Sequence, residues 1–218
     1  MILYANGCSW TWGAGLEESI RDKSAWPAQL AKILNADYVN EGAGCGSNQR
    51  IVRTTFNWLS KQSKETLKET LAVIQWTDEA RYEYYVPNND KQEDDNWAKV
   101  KIGVVLSANE MDIKRANKRA DYRLETFTEL EGNYSLLTHS SALADIFRMF
   151  DVKYYYWSNC GISNYPDHIK NFMLSNHNWL EKDGKHTLIY DRISPNDGHP
   201  NMQGHIQIAE SIFKLLKP

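Results

Sequence analysis

The stretch Ile2-Leu3-Tyr4-Ala5-Asn6-Gly7-Cys8-Ser9-Trp10-Thr11-Trp12-Gly13 decides the fold. A short apolar run stops at Asn6-Gly7, and a small polar cluster follows. That is the pattern of a buried strand delivering a serine at its carboxyl end. Open α/β sheets place their chemistry at that end of their strands. The stretch gains meaning from the other end of the chain, where Asn196-Asp197-Gly198-His199-Pro200 precedes an apolar-periodic run through Leu216. A serine on a strand-to-loop turn and a carboxylate with a histidine are the parts of an activated hydroxyl nucleophile. Each is weak alone, since a Gly-x-Ser turn is mostly only a turn and a loop histidine is mostly a solvated or capping side chain.

Between these ends the chain alternates strand and helix signals. Strands are predicted at 37–40, 71–76 and 153–157, with a short fifth at 187–190. Helices are predicted from the Ser24-Ala25-Trp26-Pro27 start to about Leu34, then over 49–61, 134–150 and 202–216. The segment 162–185 is ambiguous, with a helix near His168 to Leu174. This rhythm implies an α/β domain with a parallel sheet and helices on both faces. Residues 79–132 break it. They carry Tyr82, Tyr84, Tyr85 and Trp97, the acidic cluster Glu93-Asp94-Asp95, and a capping-box spacing at Ser107 to Glu110 that predicts a polar helix to about Leu130. They read as an insertion over the sheet within one domain spanning 1–218.

With 218 residues, 42% of them hydrophobic and 24% charged, the chain is long enough to bury a full core and has an ordinary globular composition. A net charge of -3 gives no bulk attraction to nucleic acid or to an anionic membrane. The apolar runs, such as Leu71 to Ile74, are far too short to span a bilayer. The first strand occupies the place where a signal peptide would need a basic end, so a cytoplasmic location is expected. Cys8, Cys45 and Cys160 lack Cys-x-x-Cys spacing and read as reduced thiols. A cluster of Cys8 and Cys45 with a histidine on a metal is conceivable, but buried free cysteine is the commoner case; no metal or cofactor is expected.

The blocks together resemble the SGNH (GDSL-like) hydrolase superfamily, and more closely its divergent variants common in phage genomes. Gly7-Cys8-Ser9 with Thr11 and Gly13 matches the family's nucleophile block, with Cys8 in place of an aspartate. Asn40-Glu41-Gly42 through Gly46-Ser47-Asn48 is similar to the second block, whose glycine N–H donates to the oxyanion; Gly46 is the candidate, with Gly44 as the register alternative. The third block, Gly-x-Asn-Asp, has Gln75-Trp76-Thr77-Asp78 in its place, so the asparagine is missing and Thr77 is the substitute donor. The last block, Asp-x-x-His-Pro, becomes Asp197-Gly198-His199-Pro200. That spacing leaves Asp197, Asn196 or a backbone carbonyl to orient the ring, with Asp197 favoured.

The resemblance implies a three-layer flavodoxin-like fold with about five parallel strands. It also implies a serine-dependent hydrolase of acyl esters on a small molecule or a carbohydrate, without a cofactor. Ser9, His199 and Asp197 are then the catalytic candidates. Ser9, Gly46 and Thr77 are the oxyanion donors, and Trp10, Asn48 and Asn159 the substrate contacts. An acyltransferase using the same site, and a binding or assembly module that kept only the fold, are the competing expectations. Oligomeric state is not legible.

Overall fold

Strand β1 (Ile2–Asn6) lies inside a four-stranded parallel sheet, between β2 (Asp37–Asn40) and β3 (Thr70–Trp76), with β7 (Lys153–Ser158) beyond β3. The computed structural model describes residues 1–85, 97–101, 104–107, 113–180 and 190–216. Every residue of β3 is buried: Ala72, Ile74 and Trp76 join the core on one face, and Leu71 and Val73 join the core on the other. Side chains alternate along a strand, so a parallel strand covered on both faces needs apolar residues in both sets. That is why 71–76 reads as one unbroken run.

On one face, α3 (Trp26–Leu34) and α9 (Met202–Leu216) bury Trp26, Leu30, Ile208 and Ile212 against Leu3, Ala5 and Val73. On the other, α4 (Asn48–Leu59), α7 (Glu129–Met149) and α8 (Asp167–Asn176) bury Ile51, Leu136, Phe147 and Met173 against Tyr4, Ile74 and Tyr156. The short helices α1 (Ser9–Trp12), α2 (Glu18–Ser24) and α5 (Lys64–Lys68) fill connections. Pro27 sits in the first turn of α3, where its missing N–H costs nothing, and Asn35 ends that helix with φ of 50°.

The order β2-β1-β3-β7 makes β1 the strand from which the chain first steps one way, to β2, and then crosses back the other way, to β3. A crevice opens above the carboxyl ends of the strands at such a reversal. Ser9 follows β1 directly and stands at that point.

Of the expected fifth strand at 187–190, residues 187–189 lie outside the described residues, and Tyr190 is in no strand. The edge beyond β7 is extended by 178–180: Tyr156 N–H donates to Asn178 O at 2.8 Å, and Leu180 N–H donates to Tyr156 O at 2.8 Å. The last block forms a small antiparallel hairpin, β8 (Arg192–Ser194) with β9 (Asp197–Pro200).

Residues 79–132 contain three antiparallel strands, β4 (Arg81–Tyr85), β5 (Trp97–Lys101) and β6 (Val104–Ser107), followed by α6 (Ile113–Thr126). The expected long helix is therefore shorter at its far end. The Glu93-Asp94-Asp95 cluster and 108–110 of the capping box lie outside the described residues. Tyr84, Ala98 and Val100 pack against Ala116 and Ala120 of α6, and Arg119 lies 4.2 Å above the Tyr84 ring. The Arg53–Glu83 ion pair at 3.0 Å and the Lys99 Nζ bond to Gly44 O at 3.1 Å join this sheet to α4 and to the glycine loop. Among the described residues, no helix is long and apolar enough to cross a membrane.

Candidate active site

The turn after β1 is held from below. Asn6 is fully buried; its amide donates to Thr54 Oγ1 at 2.8 Å and Thr55 Oγ1 at 2.9 Å on α4, and its Oδ1 accepts from Gly7 N–H at 2.8 Å. Gly7 has no room for a side chain, since a Cβ there would lie 2.3 Å from Thr11 Oγ1 and 2.8 Å from Gln75. Those two residues meet directly: Thr11 Oγ1 donates to Gln75 Oε1 at 2.6 Å, and Gln75 Nε2 donates to Cys8 Sγ at 3.1 Å. Asn40 ties in the end of β2 by donating to Thr11 O at 2.8 Å. The result is a fixed floor beneath α1, with Ser9 on its first residue.

His199 arrives from β9. Its Nε2 lies 2.9 Å from Ser9 Oγ, and its Nδ1 lies 2.6 Å from Asp197 Oδ1, which also accepts from His199 N–H at 3.0 Å. The Asp-x-His spacing has a direct geometric cause. On a strand, residues two apart share a face, so Asp197 and His199 point the same way while Gly198 points out. Both backbone and side-chain bonds from His199 hold the Asp197 carboxyl below its ordinary range. A carboxylate on Nδ1 fixes the proton there and leaves Nε2 as an acceptor for the serine proton.

The hairpin is seated by Gly15, whose φ of 92° and close contact with Ile193 and Pro200 O leave no space for a Cβ. Tyr190 adds a bond from its hydroxyl to Gly198 O at 3.2 Å.

The other expected site residues fall differently. Asn48 is buried, and its amide grips Thr77 at both ends: Nδ2 donates to Thr77 O at 3.0 Å, and Oδ1 accepts from Thr77 N–H at 3.0 Å. It is a clip between α4 and the end of β3, not a surface for substrate. Thr77 is fully buried, and its Oγ1 meets no partner among the described residues, so it offers no hydroxyl to the crevice.

Trp10 packs into the core, with ring centroids 6.3 Å from Trp157 and 4.7 Å from Tyr190. Gly46 does lie against Gly7 and Cys8, but Cys45 at φ of 58° turns the chain so that Gly46 N–H donates to Ala43 O at 3.1 Å. Gly44 N–H has no acceptor among the described residues, though that glycine faces the Trp12 ring.

Besides the Gly44 N–H, two donors lie at the nucleophile turn. Ser9 N–H, at the start of α1, has no acceptor among the described residues. Asn159, half-buried at the end of β7, brings its amide nitrogen to 4.0 Å from Cys8 Sγ, the same sulfur that lies 3.9 Å from Ser9 Oγ. Asn6 has no role in the sequence reading, and Thr11, Asn40 and Gln75 enter it only as members of the quoted blocks. Their role comes from long-range contacts, and only the strand-end position of Asn6 and Asn40 hinted at it.

His205, fully buried on α9, accepts from Trp26 N–H at 3.1 Å, and burial pushes its pKa down to about 4. It braces α3 and is no second base. Cys160 is an exposed residue, yet loss of water around its sulfur, with the nearby Asp78 and Glu79, pushes the thiol up to about 12. Such a thiol is a poor nucleophile.

A family model covers residues 12–199. The chain belongs to DUF6071, a family of unknown function. No curated protein matches this DUF6071 chain in sequence. Solved structures share its fold. A member of the lipolytic protein G-D-S-L family from Veillonella parvula DSM 2008 aligns with a TM-score of 0.54 at 11% identity, covering 99% of this chain and 98% of that one. The acetyl xylan esterase Est2A from Butyrivibrio proteoclasticus gives 0.55 at 13%, covering 99% of this chain and 63% of that one. Psychrotrophic esterase EstA from Pseudoalteromonas sp., in a structure inhibited by monoethylphosphonate, gives 0.50 at 13%, covering 99% and 97%. The DUF6071 chain therefore has the SGNH-type α/β fold of these proteins.

Proposed function

We propose that this protein hydrolyses acyl esters through an acyl-enzyme on Ser9. The observation that carries the reading is the continuous chain Asp197–His199–Ser9, with contacts of 2.6 and 2.9 Å. His199 Nε2 takes the proton as Ser9 Oγ bonds to the ester carbonyl carbon. The tetrahedral oxyanion is held by Ser9 N–H and the Asn159 amide, which takes the part expected of Thr77. Collapse breaks the bond to the leaving alkoxide, which receives the proton from His199. Water, deprotonated by the same imidazole, then attacks the acyl carbon and releases the acid. Est2A is named an acetyl xylan esterase, which favours an O-acylated carbohydrate as the substrate class.

A second reading, a binding module that keeps the fold without turnover, draws on the loss of two expected donors, Thr77 by burial and Gly46 by its turn bond. One experiment separates the two. The esterase EstA was inhibited by a phosphonate, and a fluorophosphonate reports an activated serine in the same way. Intact-protein mass after exposure is expected to show one adduct on wild type and none on Ser9→Ala or His199→Ala. A folded wild type that stays unlabelled refutes the hydrolase reading and leaves the binding module.

A further inference from the structure

Cys8 stands in the turn that carries the nucleophile, and no step of the proposed hydrolysis uses its thiol. The side chain is fully buried, as are Thr11 and Gln75 beside it. Buried polar groups are nearly always paired, so each hydrogen among them has to be placed. The placement starts at Thr11 Oγ1, 2.6 Å from Gln75 Oε1. That separation lies in the range of an O–H···O bond and below that of N–H···O. The hydroxyl therefore donates to the amide oxygen, which fixes the orientation of the amide. Gln75 Nε2 is thereby aimed at Cys8 Sγ and donates to it at 3.1 Å.

The sulfur already accepts, and its own hydrogen needs an acceptor. Two further polar atoms contact it among the described residues. Asn159 Nδ2, at 4.0 Å, is an amide nitrogen and accepts nothing. The oxygen of that amide is occupied by the Cys160 thiol, which donates to it at 3.6 Å. The second atom is Ser9 Oγ, at 3.9 Å. Its single hydrogen goes to His199 Nε2 at 2.9 Å, because Asp197 keeps the proton of the ring on Nδ1. A hydroxyl oxygen has two lone pairs to offer. Ser9 Oγ is left as the acceptor and the Cys8 thiol as the donor.

We infer that Cys8 donates a hydrogen bond to Ser9 Oγ, and that this bond assists the departure of Oγ from the acyl-enzyme. The role rests on the hydrolase reading above; the hydrogen bond itself does not. The contact is long and a thiol is a weak donor, so it adds little while Oγ is a neutral hydroxyl. A charged acceptor makes such a bond roughly twice as strong. In deacylation water adds to the acyl carbon, the bond from that carbon to Oγ breaks, and its electron pair passes to Oγ, which recovers a proton from His199. The thiol hydrogen stays on sulfur throughout and supports the charge as it builds on Oγ. In the first attack Oγ gives up electron density to the carbonyl carbon, and a donor on it offers no such help. The two steps therefore respond differently to loss of the thiol.

The test uses the full chain with Cys45→Ser and Cys160→Ser, which leaves Cys8 as its one thiol. Its S–H stretching band in the Raman spectrum is compared with that of the same protein carrying Ser9→Ala. Loss of the acceptor should move the band to higher wavenumber. A band that stays in place, or no S–H band at all, overturns the hydrogen bond.

The role is read with p-nitrophenyl acetate. First-turnover release of p-nitrophenolate measures acylation, and decay of the acetyl-enzyme mass after the ester is removed measures deacylation. Cys8→Ala should slow deacylation by about three- to tenfold, the contribution of one hydrogen bond, and leave acylation unchanged. Cys8→Ser keeps a donor and should recover most of the loss. Equal slowing of both steps marks a loosened turn and overturns the role, as does no slowing of either. A wild type that forms no acetyl-enzyme refutes the hydrolase reading and the role with it, while the Raman comparison still decides the hydrogen bond.

Discussion

Replacing Asn48 by alanine separates two roles for that residue. As a clip, its amide satisfies both the N–H and the C=O of Thr77, each at 3.0 Å and each in a fully buried residue. Truncation leaves two buried backbone groups unpaired, at about 1–3 kcal/mol each, and a total near 4 kcal/mol follows. For a chain of this size, 1 kcal/mol moves the melting temperature by about 2–4 °C. A drop of about 8–16 °C is therefore expected, with a matching fall in the urea midpoint and an unchanged m-value. Calorimetry and urea titration of Asn48→Ala beside wild type measure it, with the fluorophosphonate reaction at 20 °C as the functional readout. If Asn48 instead touched substrate, the melt would stay within about 2 °C of wild type while KM rose. That outcome would refute the clip.

Three further results are expected. Asp197→Asn should keep the melt of wild type while lowering kcat on an activated ester by about 10³- to 10⁴-fold, because His199 would lose its fixed tautomer; a loss under tenfold would show that another group orients the ring. Gly15→Ala forces a Cβ to 2.2 Å from Ile193 Cδ1 at a φ of 92°; serine labelling should slow by an order of magnitude or more for about 1–2 kcal/mol of lost stability, and normal labelling would mean the hairpin can shift without moving His199. His205 titrates near 4 when folded and near 6.5 when unfolded. The unfolded chain therefore takes up the proton first, and stability should fall by about 3 kcal/mol as pH drops from about 6.5 to about 4. Urea midpoints at pH 7, 5 and 4 should show this slope in wild type and a flatter one in His205→Gln; equal slopes would contradict it.

The layers of this protein are legible wherever one local pattern answers to one physical demand. Leu71 to Trp76 is apolar throughout because both faces of β3 are covered, and Met202 to Leu216 is periodic because α9 has one buried side. Ser9, Asp197 and His199 could be found because strand ends and strand periodicity are local facts. What stayed hidden depends on distant partners. Nothing near Asn48 in the chain says that Thr77 will occupy its amide, and nothing near Trp10 says that Trp157 and Tyr190 will enclose its ring. The Gly46 assignment turned on which loop N–H stays unbonded, and the φ of one residue, Cys45, decides that. In 79–132, Tyr84 and Tyr82 lie beneath Arg119 and Arg123 of α6, so charged side chains of a face that reads as polar cover aromatic rings.

The acid and the base of the proposed dyad ride on one short, half-exposed strand, and the nucleophile sits 190 positions away at the start of α1, just past the main sheet. Only the closure of that hairpin brings the two together. Segments with few buried contacts open at a fraction of the global free energy, so the hairpin should lift off while the sheet remains intact. Reactivity of Ser9 is then a gauge of one local opening equilibrium. It should vanish at denaturant concentrations where the tryptophans of the core still report a folded protein.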